Sequence, residues 1–185
     1  MEDALFVAAV ASGVLTLALF GSYLSWRAGR LHRLHHRVDV ARAGLDGALA
    51  RRRAAVLALA AAECVPPVRA RALEEAVAVA GEAGERHLDL AESMLSRVLR
   101  SEIEATGPGC PPAALPVLAE VESAAKGVHI ARTFYNDAVS DTRRARRSRL
   151  IRVFRLAGTA ALPDYFEIDD RPPRIPHPPV RPDTL

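Results

Sequence analysis

The chain opens on an unbroken apolar run and then changes rhythm. From Ala4 to Leu24, "ALFVAAVASGVLTLALFGSYL", 21 residues carry no charged side chain. At about 1.5 Å of rise per residue, such a run matches a hydrocarbon core of roughly 30 Å and predicts a transmembrane helix. A cleaved signal peptide would start with basic residues and hold an apolar stretch of only about 7 to 15 residues. Here the start is acidic, at Glu2 and Asp3. Arg27, Arg30, Arg33 and Arg37 follow the run and no basic residue precedes it. The positive-inside rule then puts the N-terminus outside a plasma membrane and the rest of the chain in the cytoplasm. Tyr23 and Trp26 stand where interfacial aromatics are expected, and the four arginines form a juxtamembrane belt suited to anionic lipid.

Beyond the anchor, apolar positions recur every three or four residues, the helical period. Leu31, Leu34, Val38, Ala41, Leu45, Leu49, Val56 and Leu59 make the first stripe, which stops at Pro66 and Pro67. Leu73, Val77, Ala80, Gly84, Leu88, Ala91, Leu95 and Val98 make the second, up to "TGPGCPP" at residues 106–112. The third passes through Leu118, Val121, Ala125, Val128, Tyr135 and Val139. Short breakers between long helices predict an all-α chain: one N-terminal transmembrane helix, then an antiparallel up-and-down bundle of three to four long helices with coiled-coil-like packing. The expected division is an anchor over 1–25, a cytoplasmic bundle over 26–157, and a short hook with a proline-rich tail over 158–185. Helix parity puts the "TGPGCPP" turn near the membrane and Pro66 and Pro67 far from it. Cys64 and Cys110 then flank opposite ends of the second helix, as free thiols.

Composition supports helices. Half of the residues are hydrophobic and only 5% are aromatic, so alanine, leucine and valine supply most of the core. Of the 25 basic Lys and Arg residues only Lys126 is a lysine, and a net charge of +3 gives no reason to expect nucleic acid. The run "RRARRSRLIRVFR", from Arg143 to Arg155, invites two readings. The simpler is charge pairing, at the distal end of the third helix, with the acids of the second: Glu74, Glu75, Glu82, Glu85, Asp89 and Glu92. The other is an acidic-ligand patch built on Arg143, Arg144, Arg146, Arg147 and Arg149, for anionic lipid or nucleic acid.

Little else suggests chemistry. His32 and His36 stand four apart beside His35, but the surrounding arginines repel a divalent cation, so no metal is expected. His87 and His129 read as surface or seam residues. Glycine-rich phosphate loops and the GxSxG elbow are missing from the sequence, and neither catalytic residues nor a cofactor is expected. The run "ARTFYNDAVSDTRR", residues 131–144, is the most distinctive. Phe134 and Tyr135 read as core aromatics, while Asn136 and Asp137 are a register pair, a solvated face or a partner contact. In the tail, "LPDYFEIDD" offers Tyr165 and Phe166 as apolar plugs beside acids. "RPPRIPHPPVRPDTL" is too rich in proline for a helix and is expected to be extended or disordered.

The N-terminal anchor, "RVDVARAGLDGALARRRAAVLAL" from Arg37 to Leu59, "ARTFYNDAVSD" from Ala131 to Asp141, and "PDYFE" from Pro163 to Glu167 together resemble the LemA family. Arg37, Val38, Asp39, Leu45, Asp46, Leu49, Arg51 and Arg52 fall on that family's first-helix pattern. Arg132, Phe134, Tyr135, Asn136, Asp137, Ala138, Val139 and Asp141 fall on its last. The chain departs from the family at the tryptophan position, which is Arg42 or Ala43 here, and in the arginine run after Asp141. The resemblance implies a cytoplasmic helical bundle on a single-pass anchor and supplies no catalytic residues. The expected function is a non-catalytic, membrane-anchored scaffold that presents its bundle to a protein partner. The alternative is an acidic-ligand module acting through the arginine run.

Overall fold

The computed structural model of the chain describes residues 1–106, 111–147, 162–171 and 173. Among these there are four α-helices and no strands. Helix α1 runs Glu2–Ala60, α2 Pro67–Glu82, α3 Leu88–Thr106 and α4 Leu115–Arg146, with a single 3-10 turn at Pro112–Ala114 before α4. Helix α1 is the one helix among the described residues that is long and apolar enough to cross a membrane, and its apolar stretch is unburied. It contains no proline over 59 residues, so nothing interrupts its hydrogen-bond ladder from the apolar run into the basic segment. Pro66 and Pro67 then begin α2, where a proline costs no bond because the first helical N–H groups have no partner within the helix.

The second predicted helix is two helices. Residues 83–87 separate α2 from α3, and Ala83 takes an extended conformation at φ −63° and ψ 123°. Gly84, counted in the predicted stripe, is exposed in this link. Gly81 and Gly84 together weaken the helix, at about 1 kcal/mol each relative to alanine. The two pieces fold back and pack on each other. Arg69, at the start of α2, lies 3.5 Å from Glu102, near the end of α3. The start of α2 and the end of α3 therefore share one end of the hairpin, which overturns their expected separation. The separation expected between Cys64 and Cys110 loses the same basis. Cys64 is half-buried, and Cys110 lies outside the described residues.

The chain forms two compact units. One comprises residues 1–40 and 137–164. In it Val38 of α1 and Ala138, Val139 and Thr142 of α4 are buried. The Thr142 hydroxyl donates to the Ala138 carbonyl at 2.9 Å and lies 3.5 Å from the Leu34 carbonyl. Arg37 pairs with Asp141 at 3.0 Å. The other unit comprises residues 41–136 and 165–185. All four helices contribute to its core: Val56 and Leu59 from α1, Leu73 and Val77 from α2, Leu95, Leu99 and Ile103 from α3, and Leu118 and Val121 from α4.

That core also encloses charge. Glu92 of α3 is fully buried and Arg52 of α1 is only 2% exposed. One Glu92 oxygen is paired with Arg52, and the other accepts a hydrogen bond from Arg53 at 2.6 Å. Ser96 accepts from Arg52 at 2.8 Å and donates to the Glu92 carbonyl at 3.0 Å. Arg53 also reaches the Ala80 carbonyl at 3.5 Å, among the last-turn carbonyls of α2 that have no partner within the helix. Adjacent arginines of α1 thereby fix both arms of the hairpin. Removing one member of such a set leaves a buried charge uncompensated, at about 3–5 kcal/mol. We expect Glu92→Gln to lower unfolding stability by that order, and Arg52→Met with Glu92→Met to recover most of it. Chemical denaturation followed by circular dichroism checks both.

Candidate functional site

The residues that sequence reading singled out converge on a strap. Residues 162–171 carry no helix or strand, and 165–171 lie on α3 and α4 within the second unit. Phe166 is the buried anchor at 3% exposure, whereas Tyr165 stays exposed. Asn136 reads the backbone at that point. Its Nδ2 donates to the Phe166 carbonyl at 3.0 Å and its Oδ1 accepts from the Phe166 N–H at 2.9 Å. A side-chain amide holds both backbone groups as a neighbouring strand would. Further along, the Glu167 N–H faces Asp89 at 3.4 Å and the Asp169 N–H donates to the Ser93 hydroxyl at 3.1 Å.

Charge completes the attachment. Arg100 of α3 grips Asp169 at 2.5 Å and donates to the Arg171 carbonyl at 3.1 Å. Arg132 and His129 of α4 meet Asp170 at 2.7 and 2.8 Å. The hydrogen bond from Arg100 holds the Asp169 carboxyl below the usual carboxylate range, against a smaller opposing effect of burial. For Asp170, burial pushes the pKa up, but the hydrogen bonds from His129 and Arg132 outweigh it and the value is lowered. Beneath the strap, the Arg42 guanidinium lies 5.8 Å from the ring centres of both Tyr135 and Phe166. Burial lowers the pKa of Arg42, but Asp46 and Tyr135 more than restore it, so the group stays charged between the rings. Such stacking contributes about 0.5–2 kcal/mol.

The four residues of the "FYND" run therefore divide. Tyr135 is buried, as expected of a core aromatic. Phe134 is 62% exposed and is not core. Neighbouring helix positions differ by about 100°, so the two rings cannot share one seam. Phe134 instead lines an open apolar groove of about 400 Å³ with Ile130, Ala131 and Gly127 of α4 and Ala41, Gly44, Gly47 and Ala48 of α1. Asn136 is the strap clamp and Asp137 is exposed.

Where the arginine run is described, its first member engages the segment at Pro163 and Asp164. Arg143 donates to the Pro163 carbonyl at 2.7 Å and to Asp164 at 2.6 Å, while Glu92 is taken by Arg52 and Arg53 and Asp89 faces the strap. Nor is this end of α4 remote from the segment that follows the apolar run, since Asp141 and Thr142 lie beside Arg37 and Leu34. Arg144 and Arg147 are exposed and Arg146 is half-buried; Arg149, Arg152, Arg155 and the tail from residue 174 lie outside the described residues. His32 and His36 are exposed, and no group of metal-binding side chains occurs among the described residues.

Sequence reading missed Arg42, Asp169 and Asp170. A signal existed in the spacing: His129, Arg132 and Asn136, three and four apart, share a face of α4 that suits an acidic segment such as "EIDD". Comparison with known proteins finds no matching family model, no similar curated protein and no similar solved structure. The resemblance to the LemA family rests on the motifs alone.

Both strap carboxylates have folded-state pKa values below their unfolded ones. Their contribution is complete above the ordinary aspartate value of about 3.9 and is lost as pH falls through the lower folded values. We expect the strap to detach on acidification below about pH 4. Asn136→Ala should weaken it at neutral pH by about 1–3 kcal/mol. Amide exchange at Phe166, Glu167 and Asp169 checks both, and protection that persisted in Asn136→Ala would contradict the clamp.

Proposed function

We propose that this protein is a non-catalytic, membrane-anchored helical scaffold of LemA-like type that presents a cytoplasmic bundle to protein partners. The observation that carries the reading is the continuity of α1, whose apolar membrane-length stretch passes without a break into the helix that buries Val56 and Leu59 in the core. The arginines at 27, 30, 33 and 37 favour the N-terminus outside and the bundle in the cytoplasm. Up-and-down, antiparallel packing of α1 and α4 is supported by pairings that run in opposite senses, Arg42 beside Tyr135 and Arg51 over Gly127. The apolar groove with Ile130 and Phe134 on its rim is the surface we assign to the partner. Exposed large apolar groups clustered on a polar bundle mark interaction sites.

The second reading, an acidic-ligand module, draws on Arg144 and Arg147, which are exposed. Its support is limited to that end of α4, because Arg143 is engaged by Asp164.

The expected outcomes are retention in membranes after alkaline carbonate extraction and a C-terminal reporter active in the cytoplasm. Proximity labelling should lose its main protein products in the double variant Ile130→Ala, Phe134→Ala while helix content is unchanged. A carbonate-extractable chain would sink the anchor. An unchanged labelling profile would move the partner surface elsewhere.

A further inference from the structure

Two basic clusters that the sequence separates by more than a hundred positions meet in one unit. Helix α1 supplies Arg27, Arg30 and Arg33 directly after the apolar run, and α4 ends in Arg143, Arg144 and Arg146. Both belong to the unit of residues 1–40 and 137–164. The pairings Arg37 with Asp141 and Leu34 with Thr142 set their register, with α4 advancing as α1 recedes toward the apolar run. Arg146 lies four residues beyond Thr142, about 6 Å further along that direction. This brings it near the level of Arg30.

We propose that these residues form a single two-helix basic collar at the cytoplasmic membrane surface, and that its ligand is the anionic phospholipid headgroup. The proposal rests on the reading of α1 as the membrane anchor and names the ligand of the surface beside it. Heights above the apolar run carry the argument. Arg27 and Arg30 stand three and six residues past Leu24, about 4.5 and 9 Å along the helix. The headgroup layer is about 5–8 Å deep on each side of the hydrocarbon, and the screening length in physiological salt is about 8 Å. Arg144, Arg146 and Arg147 therefore reach the field of the headgroups together with Arg30 and Arg33. Arg27 itself donates to the Tyr23 hydroxyl at 3.1 Å and lies 5.5 Å from that ring, an interfacial arrangement of cation and aromatic. Of the acids that follow the apolar run in the same unit, Asp141 is paired with Arg37 and Asp164 with Arg143. The exposed Asp39 and Asp137 lie beyond those pairs, further from the run, which leaves the positive excess near it to Arg30, Arg33, Arg144 and Arg147, all exposed. A headgroup that contacts both helices also ties the end of α4 to the anchor. The collar would thus couple lipid composition to the bundle.

The test uses the full chain in phospholipid nanodiscs and energy transfer from Trp26, the chain's only tryptophan, to a headgroup-labelled lipid. The wild-type chain should prefer labelled anionic lipid over labelled neutral lipid, and the preference should fall as salt is raised. Arg144→Gln, Arg146→Gln and Arg147→Gln together should weaken it by roughly fivefold per arginine removed, as should Arg30→Gln with Arg33→Gln. A wild-type preference that high salt leaves intact overturns the collar, and so does an α4 variant that keeps the full preference. Displacement of the lipid by inorganic phosphate at matched concentration would identify a soluble anion as the ligand and overturn the lipid assignment. Alkaline extraction of the same chains separates the two ideas. A chain washed from the bilayer defeats the anchor reading, whereas a retained chain indifferent to the α4 substitutions defeats the collar alone.

Discussion

The fold depends on one buried carboxylate. Glu92 sits inside the helical core with Arg52 on one oxygen and Arg53 on the other, and an isolated ion there would cost several kcal/mol of lost hydration. The requirement for compensation admits few arrangements of the helices. α3 has to place Glu92 opposite the two consecutive arginines of α1, and α2 has to end where Arg53 can reach the Ala80 carbonyl. Apolar packing among alanines, leucines and valines tolerates sliding by a turn, because small side chains leave similar surfaces at each step. The ionic cluster does not. Its contribution is specificity of register rather than net stability, as with other buried polar groups in helical assemblies.

With the hairpin fixed on α1, the strap site follows. Asp89, Ser93 and Arg100 recur every four to seven residues on α3, and His129, Arg132 and Asn136 recur on α4, so both helices offer polar faces to the same segment. The strap's own apolar contribution is mainly Phe166. Most of its attachment is directional: an amide that matches a backbone unit, hydroxyl and carboxylate acceptors for N–H groups, and guanidinium groups for the two aspartates. The position at which the LemA-like pattern departs from its tryptophan is occupied in this chain by Arg42 or its neighbour, and Arg42 lies between Tyr135 and Phe166. A cation between two rings fills space that an indole could also fill.

Much of the helical core was legible from periodicity. Leu45, Leu49, Val56, Leu59, Leu73, Val77, Leu95, Val121, Val128, Tyr135 and Val139 all fall on the predicted stripes and all are buried. The split at residues 83–87 was hidden because Ala80, Gly84 and Ala91 satisfy a three-or-four spacing whether or not the helix continues. Glycine can stand on the period without carrying helix propensity. Once the split is missed, each helix after it is counted in the wrong sense, which is why the end of α4 was not expected beside Leu34 and Arg37. The role of Asn136 was out of reach for another reason. Its partner lies 30 positions away and contributes backbone atoms, so no side-chain pattern announces it. The exposure of Phe134, by contrast, was available from helix geometry alone, since Tyr135 already occupied the seam.

The strap also sets the order in which the molecule can be completed during synthesis. Residues 165–171 follow α1, α3 and α4 in the chain, yet they satisfy groups on all three helices. Until that segment is made, Arg42, Arg132 and Asn136 lack these partners. Folding of the second unit is therefore finished only once residues 165–171 have joined helices made before them. Chains cut short before Phe166 would keep the helix sequences but leave Arg42, Arg100 and Arg132 without the ring and carboxylates that face them, a cluster of uncompensated cations.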